Sequence, residues 1–256
     1  MSSPSRKDTG HANGDGVPVV FLSGMLADQR MWHPAIAALG DLDDPDDPAK
    51  PGLIPVFCEL FDQDTVADMA SAVLDTAPDR FALVGMSMGG YTAFEILRQA
   101  PERITHLMLV NTRATADSDA VRRRRLLLSR FVAARGPFVA VNDGMLDEML
   151  HPDNRNDAAL VGLLKAMGDA CGAGVFKRQN NAVALRPDSM ADLGDIAVPC
   201  SVLVGTHDRI ISPESHREMA EAIPGATYHE IVGAGHYVPL EQPQLFARCL
   251  VELLGR

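Results

Sequence analysis

Short apolar runs alternate with stretches of helical periodicity along most of the chain. Val17 to Leu22, Leu53 to Cys58, Phe81 to Val84, Ile104 to Val110, Cys200 to Val204 and Thr227 to Val232 are compact segments. Such runs read as strands, buried on both faces where they are wholly apolar. Between them lie helical stretches at Met31 to Leu39, Thr65 to Thr76, Tyr91 to Arg98 and Pro213 to Ala222. A closing helix carries Leu245, Phe246, Cys249, Leu250 and Leu253. In the Thr65 to Thr76 stretch Val66, Met69, Ala70, Val73 and Leu74 share a face, and Asp64 is placed to cap it. Parallel strands joined by helices need right-handed crossovers. The alternation therefore predicts the α/β class: a doubly wound, mostly parallel sheet of about six strands with helices on both faces.

The rhythm breaks from about Arg113 to Ile196, where Val121 to Ala134 and Ala158 to Ala170 read as helices and no strand is convincing. Residues 113–196 are therefore expected to form a helical cap inserted into a core made of residues 17–112 and 197–256. Met1 to Gly16 is polar and rich in Ser, Gly and Asp, which predicts a disordered leader at residues 1–16 without a secretory apolar run. Asp41, Asp43, Asp44, Asp46 and Asp47, broken by Pro45 and Pro48, predict a solvated loop, since like charges and prolines resist closing into a metal cage.

Composition narrows the function classes. A chain of 256 residues with 46% hydrophobic residues can bury one large core. A net charge of −11 argues against a nucleic-acid partner, which needs a basic face to displace counterions. No stretch of 18 uninterrupted apolar residues is found, so no membrane span is expected and the cytoplasm is the expected location. Cys58, Cys171, Cys200 and Cys249 lack Cys-x-x-Cys spacing, which predicts free thiols. His33, His106, His151, His216 and His229 have no partners at metal spacing, so neither a metal nor an organic cofactor is expected.

The chemistry lies at strand ends. Gly85-x-Ser87-x-Gly89 sits between a buried strand and a helix, and that context gives a weak five-residue pattern its force. A nucleophile on so sharp a turn needs small neighbours two residues away on either side. It projects above the carboxyl edge of the sheet, at a helix N-terminus able to receive an oxyanion. An unassisted hydroxyl is a poor nucleophile at neutral pH, so Ser87 needs a base. The strand ending at Gly205 delivers Asp208 just past its end, and the run Ile231 to Gly235 delivers His236 in the same way. The order Ser, Asp, His along the chain suits His236 as general base and Asp208 as its orienting acid. The backbone amides of Met88 and Met25 are the expected oxyanion donors.

These residues carry a resemblance. From Val17 to Arg256 the chain resembles the α/β-hydrolase superfamily, and within it the small bacterial carboxylesterase-like branch that includes pimeloyl-ester esterases and ring-cleavage and lactone hydrolases. The matching stretches are Leu22 to Met25, Gly85 to Tyr91, Arg186 to Ser189, Gly205 to Asp208, and Gly235-His236 followed by Pro239, Glu241 and Pro243. Relatives usually carry His-Gly in the first turn where this chain has Ser23-Gly24, so the bracing of that loop must differ here. The resemblance implies a serine hydrolase acting on carboxylic esters; the methionine-rich, aliphatic cap and turn suit a small or medium, largely uncharged one, and a monomer or homodimer is expected. Carbon–carbon or lactone hydrolysis by the same residues, cofactor-free perhydrolysis, and ligand binding without turnover stay open beside it.

Around the centre, Gly24, Arg113 and Tyr237 are candidate pocket residues, with Met25, Met86 and Met88 as an apolar floor. Arg122 to Arg125 point in different directions on a helix and read as a solvated face, which leaves Arg113 as the cation expected to reach substrate. His207 reads as a loop residue and Asp28 as a local backbone partner.

Overall fold

A computed structural model describes residues 16–41, 52–132 and 138–256. Six strands, β1 (Gly16–Leu22), β2 (Gly52–Cys58), β3 (Phe81–Met86), β4 (Ile104–Val110), β5 (Cys200–Gly205) and β6 (Thr227–Ile231), form one sheet in the order β2-β1-β3-β4-β5-β6. Every neighbouring pair is parallel. The helices α1 (His33–Asp41), α2 (Val66–Thr76), α3 (Met88–Gln99), α7 (Pro213–Ala222), α8 (Val238–Glu241) and α9 (Pro243–Leu254) belong to the core. Between β4 and β5 come α4 (Asp119–Val132), α5 (Asp143–Met149) and α6 (Ala158–Leu185).

Strand alternation divides the core in two. Val19 and Phe21 of β1, Val84 and Met86 of β3, and Met108 and Val110 of β4 pack with Trp32 and Phe246 on one face. Val20, Leu22, Leu83, Leu107 and Leu109 pack with Met69, Phe94 and Ile96 on the other. Successive side chains of a strand point to opposite faces, so a run of consecutive apolar residues serves both layers. Each fully buried Val, Leu or Phe contributes about 1.5–3 kcal/mol. β2 lies at the sheet edge and is partly exposed, with Ile54 at 40%.

Some boundaries differ from the sequence expectation. Gly16 pairs with Gly52 and so belongs to β1 rather than to the leader, whose other residues lie outside the described ones. The cap of α2 is Thr65, not Asp64: its hydroxyl accepts the Asp68 amide at 3.1 Å because the helix begins at Val66. In the acidic stretch Asp41 closes α1, and the remaining residues fall outside the described ones. The four cysteines are free, Cys200 and Cys249 buried and Cys58 and Cys171 half-buried. Among the described residues no cluster of three or more His, Cys, Asp or Glu could hold a metal.

Among the described residues the segment between β4 and β5 carries helices and no strand, including α5 and a second half of α6 that the sequence periodicity does not mark. By length and apolar composition α6 could cross a membrane. Here it bends at Gly172, where φ is 69° and ψ −179°. Its buried Gln179 and Asn180 bond to Leu26 and Leu60 of the core and to α4, so it serves as a covering helix.

Candidate active site

Between β3 and α3 stands the single residue Ser87, in the left-handed region at φ 53° and ψ −113°. A non-glycine residue is strained there and must be held by its surroundings. The Ser87 amide donates to the Val110 carbonyl at 3.0 Å, and the Thr112 hydroxyl donates to the Ser87 carbonyl at 2.8 Å. The flanking glycines make the turn physically possible. A Cβ on Gly85 would stand 2.6 Å from the Gly89 oxygen, and one on Gly89 would stand 2.0 Å from the Leu22 oxygen. Helix and sheet therefore meet backbone to backbone under Ser87.

The other two predicted groups converge on it. His236 Nε2 lies 3.1 Å from Ser87 Oγ, and His236 Nδ1 lies 2.9 Å from Asp208 Oδ2. Asp208 Oδ1 accepts the amides of Ile210 and Ile211 at 2.9 and 3.0 Å. Burial alone would raise the Asp208 pKa. The attraction and hydrogen bond of His236, with bonds from Ile211 and Asn111, overcome it and hold the carboxyl below its usual value. An ionised Asp208 fixes the proton on His236 Nδ1 and leaves the Nε2 lone pair to accept the Ser87 hydroxyl. Such a relay can deprotonate Ser87 as the oxygen attacks an electrophile.

Met88 opens α3, so its amide has no intrahelical acceptor. Gly24 packs directly over Ser87: a Cβ there would lie 3.3 Å from the serine Cβ, which sets the Gly24-Met25 turn beside the hydroxyl. Met25 and Met88 share with Ser87 the lining of a cavity of about 390 Å³. Ser23 braces this turn through its hydroxyl. Its hydroxyl accepts from Trp32 Nε1 at 3.0 Å and donates to the Asp28 carbonyl at 3.3 Å. Gln179 adds a clamp from α6, accepting the Leu26 amide at 2.9 Å while donating to the Leu60 carbonyl at 3.0 Å. Asp28 stays local, paired to Arg30. His207 meets His151 edge-on at 4.4 Å between ring centroids.

Two residues that brace the centre had no role in the sequence reading. Asn111, directly after β4 and in the left-handed conformation at φ 46°, donates from Nδ2 to Asp208 Oδ2 at 2.9 Å and to the Gly235 carbonyl at 3.1 Å. A polar residue just past a buried strand was the signal available. Buried Glu241 accepts the amides of Gly235 and Tyr237 on Oε1, and the His151 amide and Asn154 side chain on Oε2. It ties the His236 loop to the segment after α5, and the His236 amide also donates to the carbonyl of Met149, the last residue of α5, at 2.6 Å.

The cavity wall is mostly apolar: Met25, Met86, Met88, Val141, Met145, Met149, Phe176 and Val183 contribute, with Gly24 and Tyr237 as expected. Arg113 does not line it. Its guanidinium is drawn to Asp117 at 2.6 Å, and the cations that reach the cavity are Arg124 and Arg125 of α4. Arg122 to Arg124 are exposed, as a solvated face would be, but Arg124 and the half-buried Arg125 also line the cavity, because α4 lies along it.

Known proteins agree with this architecture. The chain is 30% identical over 254 residues, 91% of each chain, to a Mycobacterium tuberculosis protein named "Putative non-heme bromoperoxidase BpoC". It is 25% identical over 211 residues, 75% of this chain and 77% of the other, to a pimeloyl-[acyl-carrier protein] methyl ester esterase of Photobacterium profundum. The structure of a thermophilic esterase from Thermogutta terrifontis superposes with a TM-score of 0.79 at 28% identity, covering 94% of this chain and 90% of that one. Residues 48–243 match the family described as the alpha/beta hydrolase fold, and the chain belongs to that family of hydrolytic enzymes.

Proposed function

We propose that this chain is a serine hydrolase that cleaves small to medium carboxylic esters through an acyl-enzyme on Ser87. The observation that carries the reading is the unbroken relay from Asp208 through His236 to the Ser87 hydroxyl, with links of 2.9 and 3.1 Å, opening into a methionine-lined cavity. Ser87 Oγ adds to the ester carbonyl as His236 takes its proton. The tetrahedral oxyanion is held by the Met25 and Met88 amides, each contributing about 3–4 kcal/mol to the transition state. His236 returns the proton to the departing alcohol, and the same histidine then activates water to release the acid and regenerate Ser87. The chemistry calls on side chains, backbone and water.

The test is labelling with a fluorophosphonate, read by intact and peptide mass spectrometry on the wild type and Ser87→Ala, followed by an ester panel graded by acyl length. One adduct on Ser87, absent from the variant, with turnover of the panel, is the expected result. A folded wild type that takes no label would overturn the reading and leave ligand binding without turnover in its place.

A second reading draws on the mycobacterial relative's name. Hydrogen peroxide could replace water on the acyl-enzyme, giving a percarboxylic acid and free Ser87. Bromination of a dye in acetate and peroxide, lost in Ser87→Ala, is its signature; no bromination by an active esterase removes it.

A further inference from the structure

The cavity over Ser87 has a one-sided charge distribution. Among the described residues that line it, Arg124 and Arg125 are cations and no carboxylate is present. Arg125 belongs to a cluster at the base of the cap, where Arg113, Arg125 and Arg186 all pair with Asp117 at 2.6, 2.7 and 2.8 Å. The Asp117 side chain is shielded from solvent and that of Arg186 nearly so, its guanidinium stacked 4.2 Å over the Tyr91 ring. Three guanidiniums thus share one carboxylate, an excess of two positive charges in a chain whose net charge is −11.

Donors are left over as well. Arg125 engages Asp117 through Nε and Asn180 through Nη1, and its Nη2 has no hydrogen-bond partner among the described residues. Arg124 is exposed, lines the same cavity and has no ion-pair partner among the described residues, whereas its neighbour Arg122 is bound to Asp119 at 2.6 Å. The Nη2 left over on Arg125 and the guanidinium of Arg124, which has no ion pair among the described residues, both belong to the lining of a largely apolar cavity and suit an oxyanion, which guanidinium binds with strong charge-assisted hydrogen bonds.

We infer that the substrate is an anionic ester: a carboxylate or phosphate at the far end of an apolar stem is gripped by Arg124 and Arg125 while its ester carbonyl meets Ser87. The inference rests on the ester-hydrolase reading and replaces the uncharged substrate expected from the sequence.

The experiment compares kcat/KM for the para-nitrophenyl monoester of adipic acid, for the same ester ended by a phosphate, and for neutral para-nitrophenyl hexanoate. Wild type is expected to prefer at least one anionic ester, and the better of the two identifies the group. Arg124→Gln should lower the anionic-to-neutral ratio about ten- to a hundredfold, the scale of a lost charge-assisted bond. Arg122→Gln, away from the cavity, should leave the ratio unchanged. Hydrolysis of the neutral ester with no gain from either anion, or an equal fall in the ratio for both variants, would overturn the anion subsite while leaving the esterase standing. No turnover of any ester and no fluorophosphonate adduct would overturn both.

Discussion

The two walls of the cavity over Ser87 are built differently. The lower wall, at the carboxyl edge of the sheet, is fixed by backbone: β3, α3 and the loops carrying Asp208 and His236 meet through main-chain contacts and buried polar bonds. The upper wall, made by α4, α5 and α6, presents side chains from helices tied to the core through side-chain bonds such as those of Gln179 and the Arg178 bond to the Phe61 carbonyl. It also leaves Val121 41% and Leu128 46% exposed while both line the cavity. Reaction geometry tolerates errors well under an ångström, and the lower wall supplies that rigidity. Substrate choice needs only shape and charge, and the upper wall supplies those.

If this division holds, changes in the lower wall should act on turnover first. His236→Ala should reduce kcat on the order of a million-fold, as for groups that act as a unit, and Asp208→Asn about ten-thousand-fold, with the fold retained by circular dichroism. Because the Asp208 carboxyl is held below its usual value, its contribution to stability is present above the unfolded value of about 3.9 and is lost as pH falls through the lower folded value. Melting temperature against pH should therefore fall less steeply below about pH 4 in Asp208→Asn than in wild type. Equal acid limbs would show that the buried carboxylate is not held as the geometry indicates.

Asn111 sharpens the comparison one step further from the reacting atoms. Asn111→Ala removes the bonds to Asp208 and to the Gly235 carbonyl together, letting acid and base loops drift. A loss of about a hundredfold in kcat with KM little changed is expected, the scale of a misplaced catalytic group. A change confined to KM would place Asn111 with the upper wall instead.

What the sequence made legible follows the same line. Ser87 and Asp208 stand just past buried apolar strands, His236 follows the end of the half-buried β6, and the spacing of Gly85 and Gly89 expresses a local steric demand, so proximity in sequence carries the information. Asn111 escaped because its partners lie 97 and 124 residues away, and Glu241 was legible only as part of a matching stretch because two of its four bonds reach 90 and 87 residues along the chain. The second half of α6 was hidden by buried Gln179 and Asn180, which break the apolar periodicity and gain partners only in the folded chain. Arg113 was preferred over Arg124 because a helix's rotation about its own axis cannot be read from a run of four arginines. Asp117, whose pull on Arg113 decides the matter, looks like any surface acid in the sequence.

Glu241 joins the two walls, and its removal should be read in stability. The carboxylate accepts four N–H groups, and Glu241→Gln would turn one acceptor oxygen into a donor facing them. A loss of about 3 kcal/mol is expected, seen as a fall of roughly 5–10 °C in Tm. Unchanged Tm would mean the His236 loop is held by its other contacts alone.

The smallest effect is expected from the bend in α6. At φ 69° and ψ −179° Gly172 occupies a region nearly closed to other residues, and no atom lies within 4 Å of where a Cβ would stand. Gly172→Ala therefore meets no clash; its cost is conformational, about 1–3 kcal/mol if the bend is kept. The bend separates the half of α6 bearing Leu164 and Met167 from the half bearing Phe176, Gln179 and Asn180. Relief of the strain by straightening would draw Phe176 away from the cavity and loosen Gln179 on the Leu26 amide. A severalfold rise in KM for the preferred ester is expected, while the rate of Ser87 labelling by a small fluorophosphonate stays within about twofold, since so small a reagent needs the lower wall far more than the upper. Labelling that slowed in step with the rise in KM would show that Gln179 transmits the cap's position to the Gly24-Met25 turn, and that the two walls act as one.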